Sequence, residues 1–194
     1  GREVIRHSAN TIKNLALELG GKSPNIVFPD ADFKTAVQWA KSGFTMGSGQ
    51  ICVAGTRLIL HKSIYEEFLA ALKAECEKLV PGDGFLPQSN FQAIITREHA
   101  NSIWQYIEKA KEEGARLITG GVPYSDTALT KGNYVPPTIF ADVTPDMTIF
   151  KEEVFGPVLS VTPFETEQEA LDLANNTAFG LAGAVFTKDI ARGI

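Results

Sequence analysis

Two cysteines, Cys52 and Cys76, are the side chains of this 194-residue sequence best suited to covalent chemistry. Cys52 sits in Gly47-Ser48-Gly49-Gln50-Ile51-Cys52-Val53-Ala54-Gly55-Thr56-Arg57, with glycines on both sides. Such glycines let backbone and reactant approach closely. A thiol of pKa about 8.5 is only a few per cent thiolate at neutral pH, yet it is intrinsically very nucleophilic. Cys76 instead shares a helical apolar face with Tyr65, Phe68, Leu69, Leu72 and Leu79. It reads as a small buried hydrophobe.

A nucleophile needs a base. Glu18 lies 34 residues before Cys52, inside the apolar run Leu15-Ala16-Leu17-Glu18-Leu19. A carboxylate in such surroundings is paired, protonated or working, and it can take a proton from a water or a thiol within hydrogen-bond reach. A histidine base (His7, His61 or His99) would instead make a thiol hydrolase. His61 falls at the far end of the extended stretch after Cys52, which disfavours it. A third reading is a non-catalytic domain that only binds a partner. Gln50, two residues before Cys52, either orients the loop by hydrogen bonds or faces solvent.

The elements that must hold these groups alternate in type. Leu15–Leu19 and Asn25–Phe28 are short, apolar and bounded by Gly or Pro, as buried strands are. Asp32–Met46 has helical spacing at Phe33, Ala36, Val37, Ala40 and Phe44. Arg57–His61 is a strand, and Ser63 reads as the cap of a helix, with Glu66 completing a capping box. Val80–Asn90 is a loop, Arg97–Glu113 a helix stopped by Gly114, and Arg116–Thr119 a strand. Gly120–Asn133 is a surface excursion. Tyr134–Val143 is extended, with Pro136 and Pro137 confining it to an edge or a bulge. Val158–Phe164 is a strand, Glu167–Asn176 a helix and Ala182–Thr187 a last strand. The pattern predicts an α/β fold with a mostly parallel sheet flanked by helices on both faces. The chain starts as if within a helix whose Ile5 and Ile12 share one face. It stops where Asp189 would cap another. Both ends therefore suggest a segment of a longer protein.

Composition narrows the function classes. The chain is 44% hydrophobic with 18 basic and 23 acidic residues, net charge −5, which argues against nucleic acid as the main partner. No window approaches ~18 uncharged apolar residues, so no membrane span is expected. Two cysteines make no disulfide framework, and a reducing, cytoplasmic location fits them. No Cys/His set has zinc spacing, and no GxGxxG fingerprint or internal repeat is present.

Four segments in order resemble the NAD(P)-dependent aldehyde dehydrogenase superfamily. Phe44 with Gly49-Gln50-Ile51-Cys52-Val53-Ala54-Gly55-Thr56-Arg57 resembles its active-site cysteine signature. Leu17-Glu18-Leu19-Gly20-Gly21-Lys22-Ser23-Pro24 resembles its glutamate motif. Lys151-Glu152-Glu153-Val154-Phe155-Gly156-Pro157 and Asn175-Asn176-Thr177 with Phe179-Gly180-Leu181 resemble two more. The resemblance implies oxidation of a small-molecule aldehyde to a carboxylic acid through a thiohemiacetal and a thioester, with hydride passing to NAD or NADP. It makes Cys52 the nucleophile and Glu18 the general base. Glu153 would hold the nicotinamide ribose, Phe155 would pack beside the nicotinamide, and Leu19 joins the cofactor-binding set. His99 falls roughly where some relatives contact the adenosine ribose, although a first-turn surface histidine is the plainer reading. The family's phosphate-binding turn, ribose lysine and second oxyanion donor would all precede Gly1, since neither Asn14 nor Asn25 matches the latter. Its oligomerising strands would follow Ile194. On this basis residues 1–22 are a remnant of a cofactor-binding domain. Residues 23–194 are a catalytic domain truncated at its C-terminal end, and the full-length enzyme is a homo-oligomer.

Overall fold

A computed structural model describes residues 1–193. The elements follow in the order α1 (Arg2–Ala9), β1 (Pro24–Val27), α2 (Phe33–Thr45), β2 (Arg57–His61), α3 (Tyr65–Cys76), α4 (Arg97–Glu112), β3 (Arg116–Thr119), α5 (Thr127–Thr130), β4 (Thr138–Ala141), α6 (Thr148–Lys151), β5 (Val158–Phe164), α7 (Glu167–Asn175) and β6 (Ala184–Phe186). The six strands form one sheet in the order β3-β4-β5-β2-β1-β6. Every pairing is parallel except β3 with β4.

Helices cover both faces, as the alternation of strand and helix patterns requires. On one face Val27, Leu58, Leu60 and Val161 pack against Ala36, Val37, Ala40 and Phe44 of α2 and against Phe68, Leu69 and Leu72 of α3. On the other, Phe140 and Val158 meet Ile103 and Ile107 of α4 with Ile149 and Phe150 of α6. Ile26, Phe28, Ile59 and Phe164 meet Ala170 of α7. The β1–β2 centre of this sheet supports both the Glu18 segment, which leads into β1, and the Cys52 loop, which leads into β2.

Several local readings are corrected. Leu15–Leu19 is not a strand. Both sides of β1 are already paired, with β2 and β6, and Leu15 and Leu19 stay 40% and 53% exposed. Without a neighbour whose backbone groups it can bond, an apolar run does not become a strand. β4 is internal rather than an edge, flanked by β3 and β5, and its ladder begins only at Thr138, after Pro136 and Pro137, with a register shift against β3 between Leu117 and Thr119. The missing N–H groups therefore cost no ladder bond. Ser63 does not cap α3. A 3-10 turn, Lys62–Ile64, intervenes, and the Ser63 hydroxyl lies 2.8 Å from His61 Nδ1. Glu66 pairs with Arg116 instead. Ile12 lies beyond the end of α1 and is 94% exposed, so it shares no helical face with Ile5.

Candidate active site

The cysteine loop is shaped by backbone that few side chains tolerate. After α2 the chain passes through Gly47, Ser48 and Gly49 with φ of +56°, +55° and +73°. This left-handed region is open to glycine and costly for Ser48. Ser48 is restrained there by donating its hydroxyl to the Gln92 carbonyl at 2.6 Å. Gln50 settles between its two readings: its amide donates to the carbonyls of Gly47 and Ala93 at 3.0 and 3.3 Å, and its Oε1 accepts from the Ile95 N–H at 2.9 Å. Gly49 lies so close to Gly156 that a Cβ would overlap its carbonyl. The loop carrying Cys52 is thus held from two sides by backbone.

Cys52 is half-buried, whereas Cys76 is 4% exposed. Burial pushes the Cys76 thiol up to about 12. Iodoacetamide at neutral pH is therefore expected to alkylate Cys52 and spare Cys76, read by peptide mapping. Preferential labelling of Cys76 would contradict the assignment.

Residues 13–23 belong to neither helix nor strand, and Glu18 among them is exposed rather than embedded in apolar surroundings. The run Leu15–Leu19 has no sheet to lie in, so its carboxylate meets solvent. What fastens this segment to the cysteine loop is glycine. Gly21 is buried with its Cα against the Cys52 carbonyl, and a Cβ there would overlap that oxygen. The Gly21 N–H donates to Glu153 Oε1 at 3.0 Å. Gly20 is covered by the Glu153 carboxylate and the Phe179 ring, again leaving no room for a Cβ. The structure thus brings the Cys52 backbone, Gly20-Gly21 and Glu153 together. Glu18 is on the same segment, three residues before Gly21. Leu19 is 53% exposed and faces Gly1. Phe155, two residues past Glu153, adopts a φ of +55° and is 37% exposed.

Two cations at the root of this site escaped the sequence reading. Arg57, 1% exposed at the start of β2, donates to the Lys22 carbonyl at 2.8 Å, to Leu173 at 2.9 Å and to Ala174 at 2.8 Å. It also stacks over Phe150, 5.0 Å from the ring centre. Lys22 is 2% exposed. Burial pulls its amine down to about 7, with the Arg57 charge acting the same way and Glu153 and Glu152 opposing. Both lie within the quoted motifs, but nothing in the sequence separates a buried cation there from one at an exposed strand end.

The unfolded chain holds the Lys22 proton up to about 10.5, and the folded one releases it at about 7. Between those values the unfolded state binds more protons, so stability rises with pH. Urea denaturation from pH 7.5 to 9.5 should show a gain of about 1 kcal/mol per pH unit from this group. Lys22→Met should flatten that rise, and an unchanged slope in the variant would exclude Lys22 as its source.

The histidines are engaged elsewhere. His61 bonds Ser63 and lies edge-on to Phe164, 5.2 Å between ring centres. His99 bonds the Phe155 carbonyl, and His7 lies on α1, which buries none of its residues. Among the described residues no group of three His, Cys, Asp or Glu could hold a metal ion. None of their helices is long and apolar enough to cross a membrane.

Fold and site define an α/β domain that presents a thiol on a glycine-shaped loop between a helix and an inner strand. The Aldehyde dehydrogenase family profile matches residues 1–194, and the chain belongs to that family. It is 44% identical over 192 residues to the betaine aldehyde dehydrogenase of Bacillus subtilis, covering 99% of this chain and 39% of that protein. It is 43% identical over 194 residues to the 4-trimethylaminobutyraldehyde dehydrogenase of Oryzias latipes, covering 99% and 38%. The crystal structure of betaine aldehyde dehydrogenase from Staphylococcus aureus in complex with NAD+ superimposes with a TM-score of 0.95 at 44% identity, covering 99% of this chain and 38% of that one. The chain therefore spans about two fifths of the length of these relatives.

Proposed function

We propose that the protein to which this chain belongs oxidises an aldehyde to a carboxylic acid, with Cys52 as nucleophile, Glu18 as general base and NAD as hydride acceptor. The observation that carries this is the meeting of three distant segments. Gly21, three residues after Glu18, rests on the Cys52 carbonyl and donates to Glu153.

The residues present suit a nicotinamide nucleotide. Glu153 spends Oε1 on the Gly21 N–H, and Oε2 lies over Gly20, with the Phe179 ring close by. A carboxylate oxygen so placed accepts from ribose hydroxyls. Phe155 offers a part-exposed ring to a planar group, and exposed Leu19 adds apolar surface. When bound, the nicotinamide supplies the hydride acceptor.

Cys52 attacks the carbonyl carbon as thiolate, forming a thiohemiacetal whose oxyanion the Cys52 backbone N–H can stabilise. Loss of hydride leaves the acyl group on Cys52 as a thioester. Glu18 then takes a proton from water, which attacks the thioester and frees the thiol and the carboxylic acid. The exposure of Glu18 gives it access to water.

Residues 1–22 belong, on this reading, with the cofactor-binding part and 23–194 with the catalytic part. In support, nothing before Pro24 adds a strand to the sheet. The two cysteines, both free, suit the cytoplasm, and the full-length enzyme is read as a homo-oligomer. Betaine aldehyde, named in the relatives, is the first substrate to assay. The full-length protein should reduce NAD+ in its presence or that of another aldehyde. Hydrolysis of an activated ester, with no NAD+ reduction by any aldehyde tried, would favour a thiol hydrolase instead.

A further inference from the structure

The first turn of α4 grips the turn that carries Phe155. His99 is the third residue of α4, and its backbone N–H donates to the capping Thr96 hydroxyl at 3.1 Å. Its Nε2 lies 2.7 Å from the Phe155 carbonyl oxygen, with the two rings tilted and 6.0 Å apart between centres. A carbonyl only accepts, so Nε2 carries the hydrogen and donates. One residue on, Gly156 packs so closely on Ile103 of the same helix that a Cβ would overlap its side chain.

Phe155 needs such a restraint. Its φ of +55° lies in the left-handed region, which a residue with a Cβ occupies only when its surroundings force it. It stands between α6 and β5, where no ladder or helix bond holds it. At 37% exposure its ring is not fixed by core packing either. The backbone must therefore aim the ring, and among the described residues the one side-chain hydrogen bond to that backbone comes from His99.

We propose that His99 is a positioning residue for Phe155. Its hydrogen bond to the Phe155 carbonyl holds the left-handed turn and so fixes the plane and height of the ring that packs beside the nicotinamide. The proposal rests on the functional reading of Phe155 given above. His99 itself touches no reacting atom. Without the bond the turn relaxes toward negative φ, and the ring swings with it. Hydride transfer is sensitive to such a change, because a displacement near 1 Å can cost about 100-fold in rate.

The test uses the full-length enzyme with para-fluorophenylalanine in place of Phe155, so that fluorine resonance reports the ring before any cofactor is added. His99→Ala is expected to shift or broaden that resonance. His99→Gln, which keeps an N–H donor of similar reach, is expected to restore it. In single-turnover kinetics His99→Ala should slow hydride transfer about ten-fold, with the NAD+ dissociation constant changed less than about three-fold. In a Phe155→Gly background, His99→Ala should cost nothing further. An unmoved resonance, no rescue by glutamine, or the same ten-fold loss in the Phe155→Gly background would each overturn the proposal. Failure of the functional reading looks different. A Phe155→Gly enzyme with normal hydride transfer would remove Phe155 from the cofactor site, whatever the fluorine spectrum shows.

Discussion

Cys52→Ala is expected to abolish aldehyde oxidation in the full-length enzyme, by at least about 10⁴-fold, because no bond to the substrate can form without the sulfur. Glu18→Gln is expected to behave differently. If Glu18 serves chiefly to deprotonate the hydrolytic water, glutamine leaves thiolate attack and hydride transfer intact. A pre-steady-state burst of NADH should then persist, followed by turnover slowed about 10²–10⁴-fold, the range of a lost general base. Rapid mixing separates the phases. Loss of burst and turnover in equal measure would mean that Glu18 also draws the proton from Cys52. Its exposed position on a segment outside helix and strand fits the first outcome, since a water can reach it from bulk solvent.

Arg57→Ala is expected to lower stability by about 3–5 kcal/mol, since each buried carbonyl left without its donor costs about 1–3 kcal/mol and the side chain's packing on Phe150 is lost as well. The carbonyls of Lys22 and Ala174 would lose their Arg57 donor, and that of Leu173 would keep only the Asn176 N–H. Arg57→Lys should recover little, because an ammonium cannot reproduce the spread of a guanidinium fork. Urea unfolding measures both. A loss under about 1 kcal/mol for Arg57→Ala would show that water replaces the guanidinium without strain. The Lys22 carbonyl is one residue beyond Gly21, so loss of Arg57 should also loosen the contact between Gly21 and Cys52.

Much of the scaffold was legible because local pattern and tertiary need agreed. β2 covers Arg57–His61 as the apolar run indicated, and the spacing of Ala100, Ile103, Ile107 and Ala110 marked the buried face of α4. Asp32 caps α2 through its side chain, as an N-terminal aspartate should. The misreadings arose where a distant partner decides. Leu15–Leu19 has strand composition but precedes β1, both of whose sides are already paired, and β4 becomes internal because β3 turns back beside it. The surroundings of Glu18 were misjudged for the same reason, since burial is a property of the packed chain. Nothing in the sequence linked His99 with Phe155, 56 residues apart, or bound Arg57 to the carbonyls of Leu173 and Ala174. The family motifs marked which segments would meet, while the contacts that join them are largely backbone and carry no residue signature except glycine.

That reliance on glycine separates precision from variability around the thiol. At Gly21 and Gly49 the peptide groups of neighbouring segments touch directly, so the sulfur's position is set by main-chain atoms common to every residue type. Met46 and Val53 flank the cysteine loop, 61% and 49% exposed, and carry none of this load. A designer can therefore exchange them for larger, smaller or charged side chains and recast the surface an incoming molecule meets, while the reactive atom stays where it is.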